Sequence, residues 1–402
     1  MNVFTMRTRA LGRTLLALLS LVLAGTALAG DDSDNDAILP ALKTITTLSP
    51  TVPANGDQNP YGVAQVKRTT GNLRAGHILV SNFNDKGNFQ GAGTTIVDIA
   101  PDGSMSLFAD LDAKKLPGSC PGGGMGLTTA LVVLERGWVI VGSLPTKNKG
   151  TVFTGSGCLI VLDSLGNPVE TFYGSLINGP WDMTAFDGEH EAKLFVTNVL
   201  NGTLTVAAGT VVPRGTVTRL NLTLSGKMPA LESITIIASG FPEKTDPSAL
   251  VIGPTGVGLR AGCDGDRDDC NHDRDPGDSD DSDGSLLYVA DTLGNRITVI
   301  DHALSRTTSA GTGKTLTSGG SLNGPLGLTV TPGGHILTVN SGDGFITEIS
   351  PHGAQLAKRQ LDTTGGPPPG AGALFGLAFD PAPGVGVIFV DDAANTLNLL
   401  HH

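Results

Sequence analysis

What this 402-residue chain lacks narrows its function first. Cations are scarce: 26 Lys and Arg stand against 38 Asp and Glu, for a formal charge of −12. The first 29 residues hold three Arg and no acid, so the remainder is more acidic still. Phosphate binding needs a basic face, so this balance excludes nucleic acid as the expected ligand. Past residue 30 no apolar run approaches the roughly 20 residues that a bilayer span needs. There is no G-x-S-x-G nucleophile elbow and no H-E-x-x-H zinc helix. "GTGKT" at 311–315 lacks the spacing of a phosphate loop and reads as a turn. The eight His form no convergent set, since His77 and His335 both open a "GHIL" turn and His401 and His402 are the last two residues.

At the amino end, Arg7, Arg9 and Arg13 precede "ALLSLVLAG" and then "ALA" at 27–29. A basic start, a short apolar stretch and small residues in A-x-A order are the parts of a secretory signal peptide. Residues 1–29 are therefore expected to be a signal, directing export to the periplasm or beyond. No Cys follows the expected cleavage point, so a lipid anchor is not expected. Residues 30–41 read as an acidic linker, and the exported protein is expected to be monomeric.

Glycine and proline are abundant, at 56 and 24 residues. That suits many short strands joined by tight turns. Six segments share one opening: "NPYGVAQV" (59), "GGMGLTTA" (123), "GPWDMTAF" (179), "DPSALVIG" (246), "GPLGLTVT" (324) and "LFGLAFDP" (374). They align on Gly62, Gly126, Asp182, Ala249, Gly327 and Gly376. Each is followed by a strand-like run such as "GHILVSNFN" or "LLYVADTLG", and then by a third such as "TIVDIAPDG". Most units end in an outer strand, which predicts four antiparallel strands per unit. Such units arranged around an axis make an all-β, six-bladed propeller over residues 42–402. The sixth unit stops after three strands, while "LKTITTLSP" at 42–50 is an orphan strand. The expected closure lets that strand complete the last blade and remove a free sheet edge.

"YVADTLGNRITVID" (288–301) resembles the core of an NHL repeat, and "FVTNVLNGTLT", "TVNSGDGFITEI" and "FVDDAANTLNLL" are weaker copies. The resemblance implies the six-bladed ring and no single activity. Asp291, together with Asn82, Ser143, Asn198, Asn340 and Asp391, recurs where each blade turns after its second strand. Such short polar side chains bond the turn's own backbone, which is the structural reading of Asp291 and Arg296.

Strand order places the long loops 84–94, 145–157 and 200–215 on one face, above blades one to three. Loops on a rigid scaffold are where binding usually sits. The main expectation is therefore an exported module that binds a ligand or protein partner in the funnel on that face. Its binding residues would be Asn82, Asn178, Trp181, Asn198, Asp291, Asn340 and Asp391. The alternative is a metal-assisted lyase or hydrolase of lactonase type, with Asn82, Asn198, Asn340 and Asp391 around a funnel ion. Lactonases resembling the senescence marker protein also need a Glu, and "NPYGVAQV" offers no acid where the first inner strand begins.

Cys120 and Cys158 both belong on the loop-rich face of blade two, where an exported protein is expected to join them in a disulfide. Cys263 and Cys270 lie in "CDGDRDDCNHDRDPGDSDDSDG" (263–284), an insertion in blade four with ten Asp and two Arg. Clustered carboxylates suit a hard cation with six to eight oxygen ligands. The stretch resembles the Asp-rich calcium loops of thrombospondin type 3 repeats. That resemblance implies Ca²⁺ on Asp264, Asp266, Asp268, Asp273 and Asp275, with a local Cys263–Cys270 bridge. Without the ion it reads as a solvated acidic loop.

Overall fold

The computed structural model describes residues 36–247, 249–262, 283–380 and 386–402. Six antiparallel sheets each hold four strands from the axis outward, blade three carrying a short fifth one at its edge, and the strands follow one another in sequence except for the outermost of the last blade. The six inner strands are Gln58–Gln65, Leu127–Val133, Pro180–Asp187, Pro254–Arg260, Pro325–Val330 and Leu374–Asp380. Each packs against the next, and the sixth against the first, so the ring is a six-bladed β-propeller.

The burial pattern explains why these residues choose strands. Second strands such as Ile78–Asn84 and Ile336–Asn340 are buried along their whole length because both faces of a blade are covered. Outer strands such as Lys314–Ser318 keep much of their surface in solvent. The core is accordingly divided into an apolar cluster between each pair of adjacent blades.

Closure follows the expected scheme. Thr44–Pro50 pairs antiparallel with Thr396–His401, in register from Thr44 with His401 to Pro50 with Thr396. The residues just before it, read from sequence as the end of a linker, are anchored. The Ile38 and Leu39 amides donate to the Glu348 carboxylate at 2.9 Å, and Leu39 and Leu42 are buried against blades five and six. Residues 1–29 of the expected signal lie outside the described residues.

Two alignments from sequence are corrected. "DPSALVIG" does not open blade four; its Leu250–Ile252 stretch turns back onto the end of blade three's outer strand, pairing Thr245 with Val251. Blade four opens instead at Pro254, in "GPTGVGLR", which repeats the Gly-Pro of 179 and 324. In blade two Leu127 pairs with Ser143 as Pro60 pairs with Asn82, and one extra residue before the next pair puts Thr129 and Ala130, not Gly126, at the level of Gly62.

Cys120 and Cys158 form the expected disulfide. Cys263, Cys270 and the five Asp expected to hold Ca²⁺ lie outside the described residues. No helix among the described residues is long and apolar enough to cross a membrane.

Candidate functional site

Two residues past the positions paired with Asn82, Asn198, Asp291, Asn340 and Asp391, the register places Gly62, Asp182, Gly256, Gly327 and Gly376 at one level around the axis, and blade two, with one extra residue there, brings Thr129 and Ala130 to it. Glycine is required where neighbouring backbones nearly touch. A Cβ at Gly256 would stand 2.1 Å from the Leu326 carbonyl oxygen, one at Gly327 2.0 Å from that of Phe375, and one at Gly376 2.2 Å from that of Tyr61. Blades two and three alone carry polar side chains at this level, Thr129 and Asp182, and they are adjacent in the ring.

Toward the loop-rich face the axis is filled. Tyr61 stacks on Phe83 at 4.7 Å and on Phe375 at 4.0 Å between ring centroids, with Trp181 at 6.4 Å. Leu326 and the turned-back Leu250 join the same apolar plug. Below it the inner strands part into a channel of about 330 Å³ that involves all six blades. Asp182 and Thr129 stand at the plugged end, and the strands run past Met183 and Leu131 toward Gln65, Lys67 and Asp187 at the other.

Asp182 accepts hydrogen bonds from the amides of Met183 (2.8 Å) and, across to blade four, Val257 (3.2 Å). Burial outweighs these bonds and raises its pKa to about 7. Burial disfavours the charged form of a carboxyl, so this one can exchange a proton near neutrality. The Thr129 hydroxyl is buried and has no partner among the described residues. At the far end Asp187 accepts from the Glu135 amide at 2.7 Å through one oxygen, while its other is buried and unbonded. Burial raises the Asp187 pKa, and Lys67 opposes that rise.

The recurring polar residues expected to bind ligand stand elsewhere, and the structure does not bring them to one point. The Asn82 amide donates to the Thr51 carbonyl (3.0 Å) and the Thr95 hydroxyl (3.2 Å). Asn198 accepts from the Asn178 amide N–H at 2.9 Å and donates to Thr218 at 3.2 Å. Asn340 bridges the Ser321 carbonyl and Asp343, at 2.9 and 3.0 Å. Asp291 accepts from Gly294 (3.0 Å) and Arg296 (2.8 Å), and Asp391 accepts from Ala394 (3.0 Å). The Asn178 side chain donates to the Leu200 carbonyl, and Trp181 is buried in the plug region. Asp291 and Asp391 accept from the backbone of their own turns, Asn82, Asn198 and Asn340 reach neighbouring segments, and none of these side chains lines the channel.

A metal was expected at this centre in the alternative reading. That reading placed the ion among Asn82, Asn198, Asn340 and Asp391, and among the described residues no three His, Cys, Asp or Glu side chains group as metal ligands. Sequence reasoning missed Asp182, Thr129, Lys67 and Asp187. One signal for Asp182 was present, the acid in "GPWDMTAF" where most copies carry Gly.

No protein-family model matches the chain, and no curated protein matches it in sequence. Solved structures do match its fold. A gluconolactonase of Xanthomonas campestris aligns with TM-score 0.51 and 13% identity, over 90% of each chain. A calcium-binding regucalcin of Agrobacterium tumefaciens aligns with TM-score 0.50 and 12% identity, covering 89% of this chain and 93% of that one. A streptogramin B lyase aligns with TM-score 0.49 and 13% identity, covering 91% and 100%. At these identities the likeness is one of fold. The expectation of a binding module working through a loop-side funnel is nonetheless corrected. Side chains fill that end of the axis, and the solved structure that aligns at TM-score 0.51 is a gluconolactonase.

Proposed function

We propose that the chain is a hydrolase or lyase that opens a small cyclic ester in the central channel, with Asp182 as its general acid and base. The observation that carries this reading is the Asp182 carboxyl, titrating at about 7 at the inner end of a channel of about 330 Å³. That volume lies at the small end of ligand sites, which favours a compact polar substrate such as an aldonolactone. The fold shared with a gluconolactonase supports the same class.

In hydrolysis the ionised Asp182 takes a proton from water, whose oxygen then attacks the lactone carbonyl. Protonated Asp182 returns that proton to the ring oxygen as the C–O bond breaks. The Thr129 hydroxyl, without a partner among the described residues, would hydrogen-bond the substrate, and Lys67 supplies a positive charge at the opposite end.

The test is a pH-stat assay of the full chain against a panel of aldonolactones, run beside Asp182→Asn. General acid–base groups contribute roughly 10²- to 10⁴-fold, so Asp182→Asn should lower kcat by at least about 100-fold. The wild-type kcat/KM should rise through a pKa near 7. Undiminished turnover by Asp182→Asn, or no ester opened by the wild type, would sink the reading.

A further inference from the structure

A second cavity lies away from the axis, between blades four and five. It is a cleft of about 680 Å³ bounded by Leu286 and Tyr288 of blade four's second strand, by its two outer strands, and by the Pro351–His352 turn of blade five. The loop that closes its outer side is tied to blade three, because the Ala310 amide donates to the Ile237 carbonyl at 2.9 Å and the Ser239 amide to Gly311 at 2.8 Å. The cleft walls are therefore held by three blades, which preorganises them for a ligand.

Its chemistry is divided. Leu286, Val299 and Leu316 supply apolar wall. Tyr288 is fully buried, and its hydroxyl lies beside the Arg260 guanidinium, which interacts with it by charge and by a side-chain hydrogen bond. At the rim, Arg306 is bound to Asp301 through both its side chain and its backbone carbonyl, so that pair is neutral overall. Lys314 lines the same rim and has no acidic partner among the described residues. The net charge left by these three groups is positive.

We propose that this interblade cleft is a binding site for a small organic anion with an apolar, aromatic-sized body, its anionic head on Lys314 and its body on Leu316 and Val299 over the Tyr288 hydroxyl. The site is separate from the axial channel and does not depend on the function proposed for that channel.

The probe is naphthoate, compared with its neutral amide, titrated calorimetrically into the full chain. Naphthoate should bind more tightly than the amide by about tenfold, the discrimination expected of one charge-assisted contact. Lys314→Glu should abolish that preference while leaving the amide's affinity unchanged, and Lys314 is exposed enough that the fold tolerates the change. Tyr288→Phe should weaken both probes. Should that buried variant fail to fold, Leu316→Trp, which fills the cleft from a half-buried wall position, should remove binding of both. Asp182→Asn should affect neither probe. Naphthoate affinity unmoved by Lys314→Glu and Leu316→Trp, or no naphthoate binding to the wild type, would overturn the proposal.

Discussion

Asp182 and Gly327 occupy the same level of the ring and show how one position is used in opposite ways. At Gly327 the next blade's backbone is so close that any side chain would strike the Phe375 carbonyl. At Asp182 the side chain instead takes up the amide of Val257 in the next blade, and its carboxyl remains beside the channel. Overpacking against backbone cannot be relieved by rotating a side chain, so Gly327→Ala should destabilise the fold by about 3 kcal/mol. Thermal or urea unfolding measures this. A change below about 0.5 kcal/mol, within the range of neutral surface substitutions, would show that the blades can separate without penalty.

At the scale of elements, the ring depends on a strand contributed from the far end of the chain. Thr44–Pro50 covers the edge of the last blade, and the segment before it is held by more than pairing. Glu348 accepts from Ile38 and Leu39 and also contacts His335 Nδ1 at 2.6 Å, while Arg359 donates to the Leu42 carbonyl at 2.7 Å. Leu42 is fully buried among blades five and six. Leu42→Ala should therefore cost about 3 kcal/mol, the usual range for removing a buried leucine side chain. It should also make the amino-terminal segment the first site of limited proteolysis. Cleavage that begins elsewhere would show that the latch is not the weak point of closure.

For the whole molecule, the buried carboxyls set the pH response. Burial raises Asp182 to about 7 and Glu243 to about 8, and burial with the nearby Asp391 carboxylate raises Asp392 to about 7. Asp391 is also raised, by burial and by its neighbour Asp362. Unfolded, these groups ionise near the ordinary carboxylate range, whereas the folded chain keeps their protons until about pH 6 for Asp391 and about pH 7 to 8 for the others. Between roughly pH 4 and 8 the folded state thus binds more protons, and stability must fall as pH rises. The melting temperature should be higher at pH 5 than at pH 8, and Asp182→Asn should flatten part of that slope. A melting temperature that climbs from pH 5 to pH 8 would contradict the burial of these groups as charged liabilities.

Much of the architecture was legible in the residues themselves. The recurring openings, the alternation broken by Gly, Asn and Asp, and the orphan strand at 42–50 were enough for six blades and their closure, because these patterns are local and repeat. Tertiary structure alone decided which end of the axis is open. Tyr61, Leu250 and Phe375 are each more than a hundred residues apart, and no spacing announces that they meet as a plug. The recurring Asn and Asp residues looked like a ring of ligands because a repeat reveals period and not direction. Their hydrogen bonds to Thr51, Thr95 and Ser321 turned them into the ends of strands. Asp182 carried the reverse lesson, since a carboxyl's pKa depends on how much water its neighbours exclude, and neighbours are assigned only when the ring closes.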